Sequence, residues 1–185
     1  MARIYFPADA NSSVSTVDHC LRAKNNISLI VGSKNATNTW LSVEEVCPPS
    51  QVLDPADNQA EKHCIAGASV WKRFSTDGGI NPDVILVGCG VEVTFETIAA
   101  AAILRNAGVR VRVVNINDLL ILGEVGSHPH ALDEEAFESL FTADKPVIVN
   151  FHGYPKDISG LLFSRKSKVG RSRVSLAVLA SWESS

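Results

Sequence analysis

Val84-Ile85-Leu86-Val87-Gly88-Cys89-Gly90 is the stretch that decides the fold of this 185-residue chain. Its four consecutive apolar residues end at a turn that contains two glycines. A continuous apolar run of this kind is typical of a central strand in a parallel sheet, because helices cover both faces of such a strand. The stretch therefore predicts an open α/β sheet with this strand inside it.

A helix is predicted directly after that strand. Its apolar residues recur three or four positions apart: Phe95, Ile98, Ala99, Ala102 and Ile103. Residues with this spacing share one face of a helix, and we expect that face to pack on the sheet. Gly108 then ends the helix, since glycine readily adopts the left-handed conformation of a helix C-terminus.

The chain then repeats this order of strand and helix. Valines alternate with arginines over residues 109–113, which predicts a strand with one more exposed face, nearer an edge of the sheet. Asp133 is expected to cap a helix with an acidic first turn, and residues 146–151 return as a strand. Strands joined by helices of this length form right-handed βαβ units. We therefore predict a doubly wound, mostly parallel α/β domain over residues 67–165.

Residues 1–40 are predicted to be the end of a different structural unit. An extended segment comes first, followed by a helix over residues 14–23 that the polar residues 11–13 are expected to cap. The apolar residues 27–32 then predict a buried strand. One helix with one or two strands cannot close a core, so this piece must lean on the rest of the chain or on another polypeptide.

The remaining two segments are predicted to lie outside the packed units. Residues 41–66 hold three prolines and many polar residues, which indicates a linker with at most one short helix, near residues 42–46. Residues 166–185 combine a basic run with an apolar run. We expect a solvated or frayed tail there rather than a segment that binds a membrane surface.

The composition excludes several classes of function. The chain has 17 basic and 20 acidic residues, so no strong field is available to attract nucleic acid. No apolar run approaches the roughly 20 residues that cross a bilayer, and no secretory signal precedes the fold, so we expect a cytoplasmic protein.

The four cysteines of the chain are widely spaced, without histidines at metal-ligand spacing, which argues against a disulfide scaffold or a zinc site. Cys89 is expected to be a small buried thiol.

No motif supplies a complete catalytic apparatus, but three loops contain candidate binding groups. The loop of residues 88–92 could receive an anion at a helix N-terminus. Val93 stands where a dinucleotide fingerprint requires its third glycine, so a tight structural turn is the favoured interpretation. His128 and His130 precede the helix capped by Asp133, and we favour a solvated loop over a site there.

The third loop, Phe151-His152-Gly153-Tyr154-Pro155, follows a predicted strand of the sheet. Ligands of open α/β folds gather at the carboxyl ends of the strands. His152 and Tyr154 are therefore candidates for a ligand contact or a domain interface. Local packing by Tyr154 beside a turn at Gly153 is an equally weighted interpretation.

Many segments of the chain, taken in order over about residues 3–163, resemble sequence segments of the phosphoketolase family. Four segments are similar to the end of that family's pyrimidine-binding domain: residues 4–11, 18–21, 30–34 and 40–41. Later segments resemble its C-terminal domain, among them residues 82–84, 88–90, 96–97, 109–115, 128–130, 140–142, 144–147 and 151–155. The agreement of so many ordered segments is far more specific than any single motif.

The resemblance implies a transketolase-like fold and a homodimeric full-length enzyme. Phosphoketolases use thiamine diphosphate and magnesium to cleave xylulose 5-phosphate or fructose 6-phosphate with inorganic phosphate. The products are acetyl phosphate and an aldose phosphate. The segments that bind the cofactors and run this chemistry are not in the chain, so we assign it no catalytic, cofactor-binding or metal-binding residue. We expect it to be inactive without the missing domains or a full-length subunit.

The resemblance also implies one substrate-binding residue, Lys34. It matches the lysine of the family's Ala-Gly-Lys-Gln-Pro segment, which lies near the phosphate end of the substrate. An ammonium on a flexible stem suits a phosphate dianion. The chain departs from the family here, reading Gly32-Ser33-Lys34-Asn35-Ala36. A non-catalytic metabolite-binding or interaction module derived from such an enzyme is the alternative function, and the preferred sugar phosphate stays open.

Overall fold

The computed structural model describes residues 2–41, 59–162 and 165, without the side chains of residues 59–62. The elements in chain order are β1 (Ala2–Tyr5), α1 (Ala10–Arg22), β2 (Ile27–Ile30), α2 (Gln59–Ala66), β3 (Ala68–Val70), β4 (Val84–Cys89), α3 (Val91–Asn106), β5 (Val111–Ile116), a 3-10 helix (Leu119–Leu122), α4 (Glu134–Phe141), β6 (Val147–Phe151) and α5 (Pro155–Leu162). The strands form a two-stranded and a four-stranded sheet.

The four-stranded sheet has the strand order β3-β5-β4-β6. The central strand β4 pairs in parallel with β5 and β6, and β3 pairs antiparallel with the outer side of β5. Successive side chains of a strand point to opposite faces, so β4 contributes to two cores. Ile85 and Val87 pack on the side of α4 and α5, whereas Leu86 packs on the side of α3. The predicted α/β, doubly wound, mostly parallel sheet is confirmed.

The predicted apolar stripe of α3 is wrong, because the opposite side of the helix faces the sheet. Thr94, Thr97 and Ala101 are buried there, whereas the exposed fractions of Phe95 and Ile103 are 47% and 70%. The helix lies so close to β4 that a Cβ added to Gly88 would stand 3.0 Å from the Cα of Thr94. Only small side chains fit such an approach. Because apolar residues surround most of this helix, their spacing does not identify the packed face.

The strand predicted near an edge, β5, lies inside the sheet, and the prediction of an exposed face is also wrong. All six of its residues are buried, and the strand lies between β4 and β3 in the sheet. Arg112 is tolerated there because its guanidinium forms an ion pair with Asp77, at 2.8 Å. It also donates hydrogen bonds to the carbonyl oxygens of Ile80 and Ser139. A buried charge paired and hydrogen-bonded in this way costs far less than an unpaired one.

The N-terminal segment forms the two-stranded parallel sheet of β1 and β2, with α1 between them in sequence. Its helix begins at Ala10 and is capped by Asp9, not by residues 11–13, because the Asp9 carboxylate accepts a hydrogen bond from the Ser12 amide. The exposed fractions of Ile27 and Leu29 are 74% and 55%, so the predicted burial of this strand is wrong. No described element covers that face.

Polar contacts join the N-terminal segment to the four-stranded sheet. Arg3 and Asp118 form a buried ion pair with a 2.7 Å N–O distance. The Phe6 amide donates to the carbonyl oxygen of Asn117, and the Asn117 side-chain amide donates to Thr16 Oγ1 at 3.1 Å. These bonds place residues 2–41 against the carboxyl end of β5.

Other predicted features fall into three groups. The cap of α4 by Asp133 and the strand β6 are confirmed. Helix α2 was not predicted and lies inside the segment 41–66 that was assigned as a linker. The predicted short helix at 42–46 and the tail 166–185 lie outside the described residues, and the domain boundaries stay predictions. Among the described helices, none has the length and hydropathy needed to cross a membrane.

Candidate functional site

The candidate site lies at the carboxyl ends of β4 and β6. Gly90 follows β4 and has a φ of 115°, a backbone angle that residues other than glycine rarely adopt. A Cβ at this position would also stand 3.1 Å from the Cβ of His152, which follows β6. The glycine thus permits a close approach between the two loops. Helix α3 begins at the next residue, Val91.

A cleft of about 400 Å³ opens beside these loops. One wall is formed by the start of residues 31–41, which we call the strap. The cleft is lined by Phe6, Val31, Gly32, Ser33, Lys34, Asn35, Gly90, Val91, Glu92 and His152. The two residues that the sequence analysis singled out separately, Lys34 and His152, therefore share one cleft.

Glu92 ties the strap to the loop after β6. One carboxylate oxygen accepts a hydrogen bond from Ser33 Oγ at 3.0 Å, and the other lies 3.3 Å from His152 Nδ1. Glu92 and His152 are each about half exposed. Glu92 thus has two partners already, whereas Lys34 forms no ion pair with any residue that the structure describes. The ammonium of Lys34 is available to an anion that enters the cleft.

A second cleft of about 450 Å³ adjoins the first, because Val91 and Glu92 line both. The end of the strap forms one wall with Trp40, and α3 forms the other with Phe95 and Glu96. The rings of Trp40 and Phe95 have centroids 6.0 Å apart. Trp40 and Phe95 were not predicted as site residues, and no local motif distinguishes them. Glu92 belongs to the loop of residues 88–92 that was predicted as a candidate anion-binding loop.

The other candidate residues lie away from this cleft or are inert. Tyr154 is 60% exposed and does not line it. His128 donates from Nε2 to the carbonyl oxygen of Ala2 at 2.9 Å, and its Nδ1 accepts from the His130 amide at 3.2 Å. These bonds give the histidine pair a structural role. Cys89 is fully buried, and burial raises the pKa of its thiol, so the thiol stays protonated and unreactive.

The described residues do not fit a metal-diphosphate cofactor. Among residues 2–41, 59–162 and 165, no group of three or more His, Cys, Asp or Glu side chains could hold a metal ion. Magnesium requires an arrangement of oxygen ligands, and this part of the chain does not provide one.

Comparison with known proteins gives consistent results. Residues 49–176 match the family model of the XFP C-terminal domain. A probable phosphoketolase of Schizosaccharomyces pombe is 46% identical over 167 residues, which cover 89% of this chain and 18% of that protein. Probable phosphoketolase 1 of Rhizobium meliloti is 41% identical over 165 residues, covering 88% of this chain and 19% of that protein. The chain thus spans about a fifth of the length of these relatives.

Solved structures with the same fold are transketolases. A Pichia stipitis transketolase in complex with xylulose 5-phosphate gives a TM-score of 0.54 at 18% identity, covering 80% of this chain and 18% of that one. A split-gene transketolase described as an inactive β4 tetramer gives 0.55 at 16% identity, covering 97% of this chain and 48% of that one. Identities this low show a common fold and nothing more.

Proposed function

The chain belongs to the phosphoketolase family, and from this premise we propose that it completes the substrate-phosphate end of a phosphoketolase active site. In this proposal the whole enzyme cleaves xylulose 5-phosphate or fructose 6-phosphate with inorganic phosphate to acetyl phosphate and an aldose phosphate. The observation that carries the proposal is the cleft in which Lys34, the Gly90 turn and His152 meet. It lies where open α/β sheets bind ligands.

Lys34 is proposed to bind the terminal phosphate of the sugar. Its side chain is exposed in the cleft, and no described carboxylate neutralises it. A compact ammonium binds a phosphate dianion by charge and by three donors, without imposing a fixed geometry. In this proposal the contact is equally strong in the bound substrate and in the transition state, so it lowers KM without changing kcat.

Ser33, Glu92 and His152 are proposed to hold the cleft in shape. Glu92 accepts from Ser33 and contacts His152, so the strap and the loop after β6 are tied to the start of α3. A cation site held in one geometry binds an anion with a smaller loss of side-chain entropy. His152 also lines the same cleft.

The chemistry itself is proposed to come from polypeptide outside this chain. Thiamine diphosphate and magnesium act in the full-length family, and the described residues have no cluster suited to the metal. We propose that the chain works as part of a homodimeric enzyme and contributes packing contacts to it. The cytoplasmic location stays a prediction.

A hybrid enzyme tests the proposed function. The full 185-residue chain would replace the matching C-terminal part of the S. pombe relative, to which it is 46% identical. We expect the hybrid to form acetyl phosphate from xylulose 5-phosphate, inorganic phosphate and thiamine diphosphate, and the separate chain to form none. A hybrid that binds thiamine diphosphate and melts cooperatively without making acetyl phosphate would contradict the proposal.

Replacing one lysine in the hybrid tests the site. Lys34→Gln should raise KM for the ketose phosphate about tenfold, because a charge-assisted contact to phosphate is lost, with little change in kcat. Lys24→Gln is the matched control, since Lys24 is also exposed and does not line the cleft. Equal KM values for the two variants would show that Lys34 does not bind substrate.

The alternative function, a separate module that binds phosphorylated metabolites, is favoured by the same Lys34 ammonium, which forms no ion pair with any described residue. It predicts that millimolar sugar phosphates raise the melting temperature of the isolated chain and that Lys34→Gln abolishes this shift. Stabilisation without any activity of the hybrid would support the module over the enzyme.

A further inference from the structure

We infer that Asp9 is the positioning residue of the strap and thereby sets the shape of both clefts and the location of Lys34. Asp9 is almost fully buried, with an exposed fraction of 1%. It does not line either cleft, so it acts on a ligand only through the strap. This inference rests on the proposed function for its kinetic consequence, although its structural consequence can be measured separately.

The Asp9 carboxylate joins two parts of the chain through four hydrogen bonds. Oδ1 accepts from the amide and the hydroxyl of Ser12, both at 2.7 Å, and so caps α1. Oδ2 accepts from the amides of Trp40 and Leu41, at 2.7 and 3.0 Å. The first pair of bonds is an ordinary helix cap. The second pair reaches about thirty residues along the chain, which helix capping does not require.

The strap is attached mainly at its two ends. At its start, the Val31 amide donates to the carbonyl oxygen of Tyr5 at 2.8 Å. At its end, Asp9 holds the two amides, and Asn11 donates to the carbonyl oxygen of Leu41 at 2.7 Å. The Ser33–Glu92 hydrogen bond is exposed. The buried anchor of the far end is therefore the Asp9 carboxylate.

Fixing the end of the strap fixes the walls of both clefts. Trp40 packs its ring against Phe74 and Phe95, with centroid distances of 5.8 and 6.0 Å, and it lines the second cleft. Lys34 lies on the same strap, between the two attachments, and faces the first cleft. Without Asp9, the partly buried amides of residues 40 and 41 would lose their acceptor, and the segment would sample more conformations.

Two substitutions separate the two roles of Asp9. Asp9→Ser keeps a hydroxyl that can cap α1, but its short side chain cannot reach the strap. Ser12→Ala is the matched control, because it removes the hydroxyl partner within the cap and leaves both strap bonds. In the hybrid, we expect Asp9→Ser to raise KM for the ketose phosphate about fivefold with kcat within about twofold. Ser12→Ala should lower the melting temperature and leave KM unchanged.

Combining the variants tests whether Asp9 acts through Lys34. The double variant with Asp9→Ser and Lys34→Gln should raise KM by less than the product of the two separate fold-changes. The reason is that a mispositioned Lys34 already binds the phosphate weakly, so removing its charge has a smaller effect. Where Lys34→Gln raises KM, the inference would be overturned by independent effects of the two substitutions, by a KM unchanged in Asp9→Ser, or by an equal KM rise in Ser12→Ala.

Amide hydrogen exchange on the full 185-residue chain tests the structural part without any assay of activity. Asp9→Ser should speed exchange at Trp40 and Leu41 at least tenfold, while exchange in β4 is unchanged. Suppose that Lys34→Gln leaves KM unchanged while Asp9→Ser speeds exchange at these two amides. The proposed function then fails, and Asp9 still positions the strap. Unchanged exchange at both amides would overturn the inference whatever the kinetics show.

Discussion

The two sheets of this molecule are built from similar apolar strands, yet they are covered very differently. Ile85 in the four-stranded sheet is fully buried, whereas the exposed fraction of Ile27 in the two-stranded sheet is 74%. Helices pack on both faces of the larger sheet. The apolar composition of a strand therefore does not decide its burial. The elements available to cover the strand decide it.

The exposed apolar residues of the N-terminal segment continue this contrast. They lie on α1, on β2 and at the start of the strap: Val14, Val17, Leu21, Ile27, Leu29 and Val31. Apolar surface of this kind is normally covered in an assembled protein. The same segment has its buried contacts on the side of the larger sheet, where Phe6 joins the core and the Arg3–Asp118 ion pair adds a polar contact. We therefore expect two regions of unequal stability within one chain.

The largest expected effect is the loss of the buried ion pair that joins the regions. Arg3→Met leaves the carboxylate of Asp118 buried without its cation, which should cost about 4 kcal/mol of the free energy that holds the N-terminal segment in place. Hydrogen exchange should then accelerate in β1, α1 and β2 but not in β4. Arg22→Met is the control, because its ion pair with Asp18 is exposed and should contribute less than about 0.5 kcal/mol. Equal acceleration in both regions would show that they unfold as one unit.

Two isoleucines compare the sheets directly. Ile85→Ala should lower the free energy of unfolding by about 3 kcal/mol, because it leaves a cavity in a packed core. Ile27→Ala should change it by less than about 0.5 kcal/mol, since that side chain is mostly exposed. Urea unfolding of the two variants measures both values. Similar losses would mean that the face of β2 is covered in solution.

A smaller effect is expected at His63, which lies on α2 beside the boundary between the regions. Burial lowers the pKa of His63 to about 4, from an ordinary value of 6.5, and its Nε2 lies 3.2 Å from Asn115 Oδ1. The unfolded chain therefore binds a proton before the folded chain does. The resulting stability is present above pH 6.5 and is lost as the pH falls towards 4.

We expect the titration of His63 to lower the free energy of unfolding by about 2 kcal/mol between pH 7 and pH 5. The His63→Gln variant should not show this decrease. Unfolding in urea at several pH values, with both proteins, measures the difference between the two slopes. Parallel slopes would mean that His63 is already accessible to protons in the folded chain.

Elements with a local signal could be predicted from the sequence. The run at β4 and the Asp133 cap are each specified within a few residues, and the structure has both. The packed face of α3 could not be predicted, because it depends on the approach of Thr94 to Gly88 across the sheet. The interior position of β5 depends on pairing with β3, a short strand about 45 residues earlier in the chain.

The candidate site shows the same division. Lys34 followed from the family resemblance, and His152 followed from its place after a strand. The bonds of Glu92, which lies in the candidate loop of residues 88–92, and those of Asp9 could not be predicted, because their partners lie far away in sequence: Ser33 for Glu92, and Trp40 and Leu41 for Asp9. No local pattern reports a hydrogen bond between such distant residues.

The amino-acid sequence by itself determined the family, the alternation of strands and helices, and the α/β class, because apolar runs, caps and glycines act over a few neighbouring residues. Tertiary structure alone decided which faces are buried and that the strap lies beside the Gly90 turn. Those outcomes depend on which distant segments exclude water from one another, and that choice is made only when the whole chain packs.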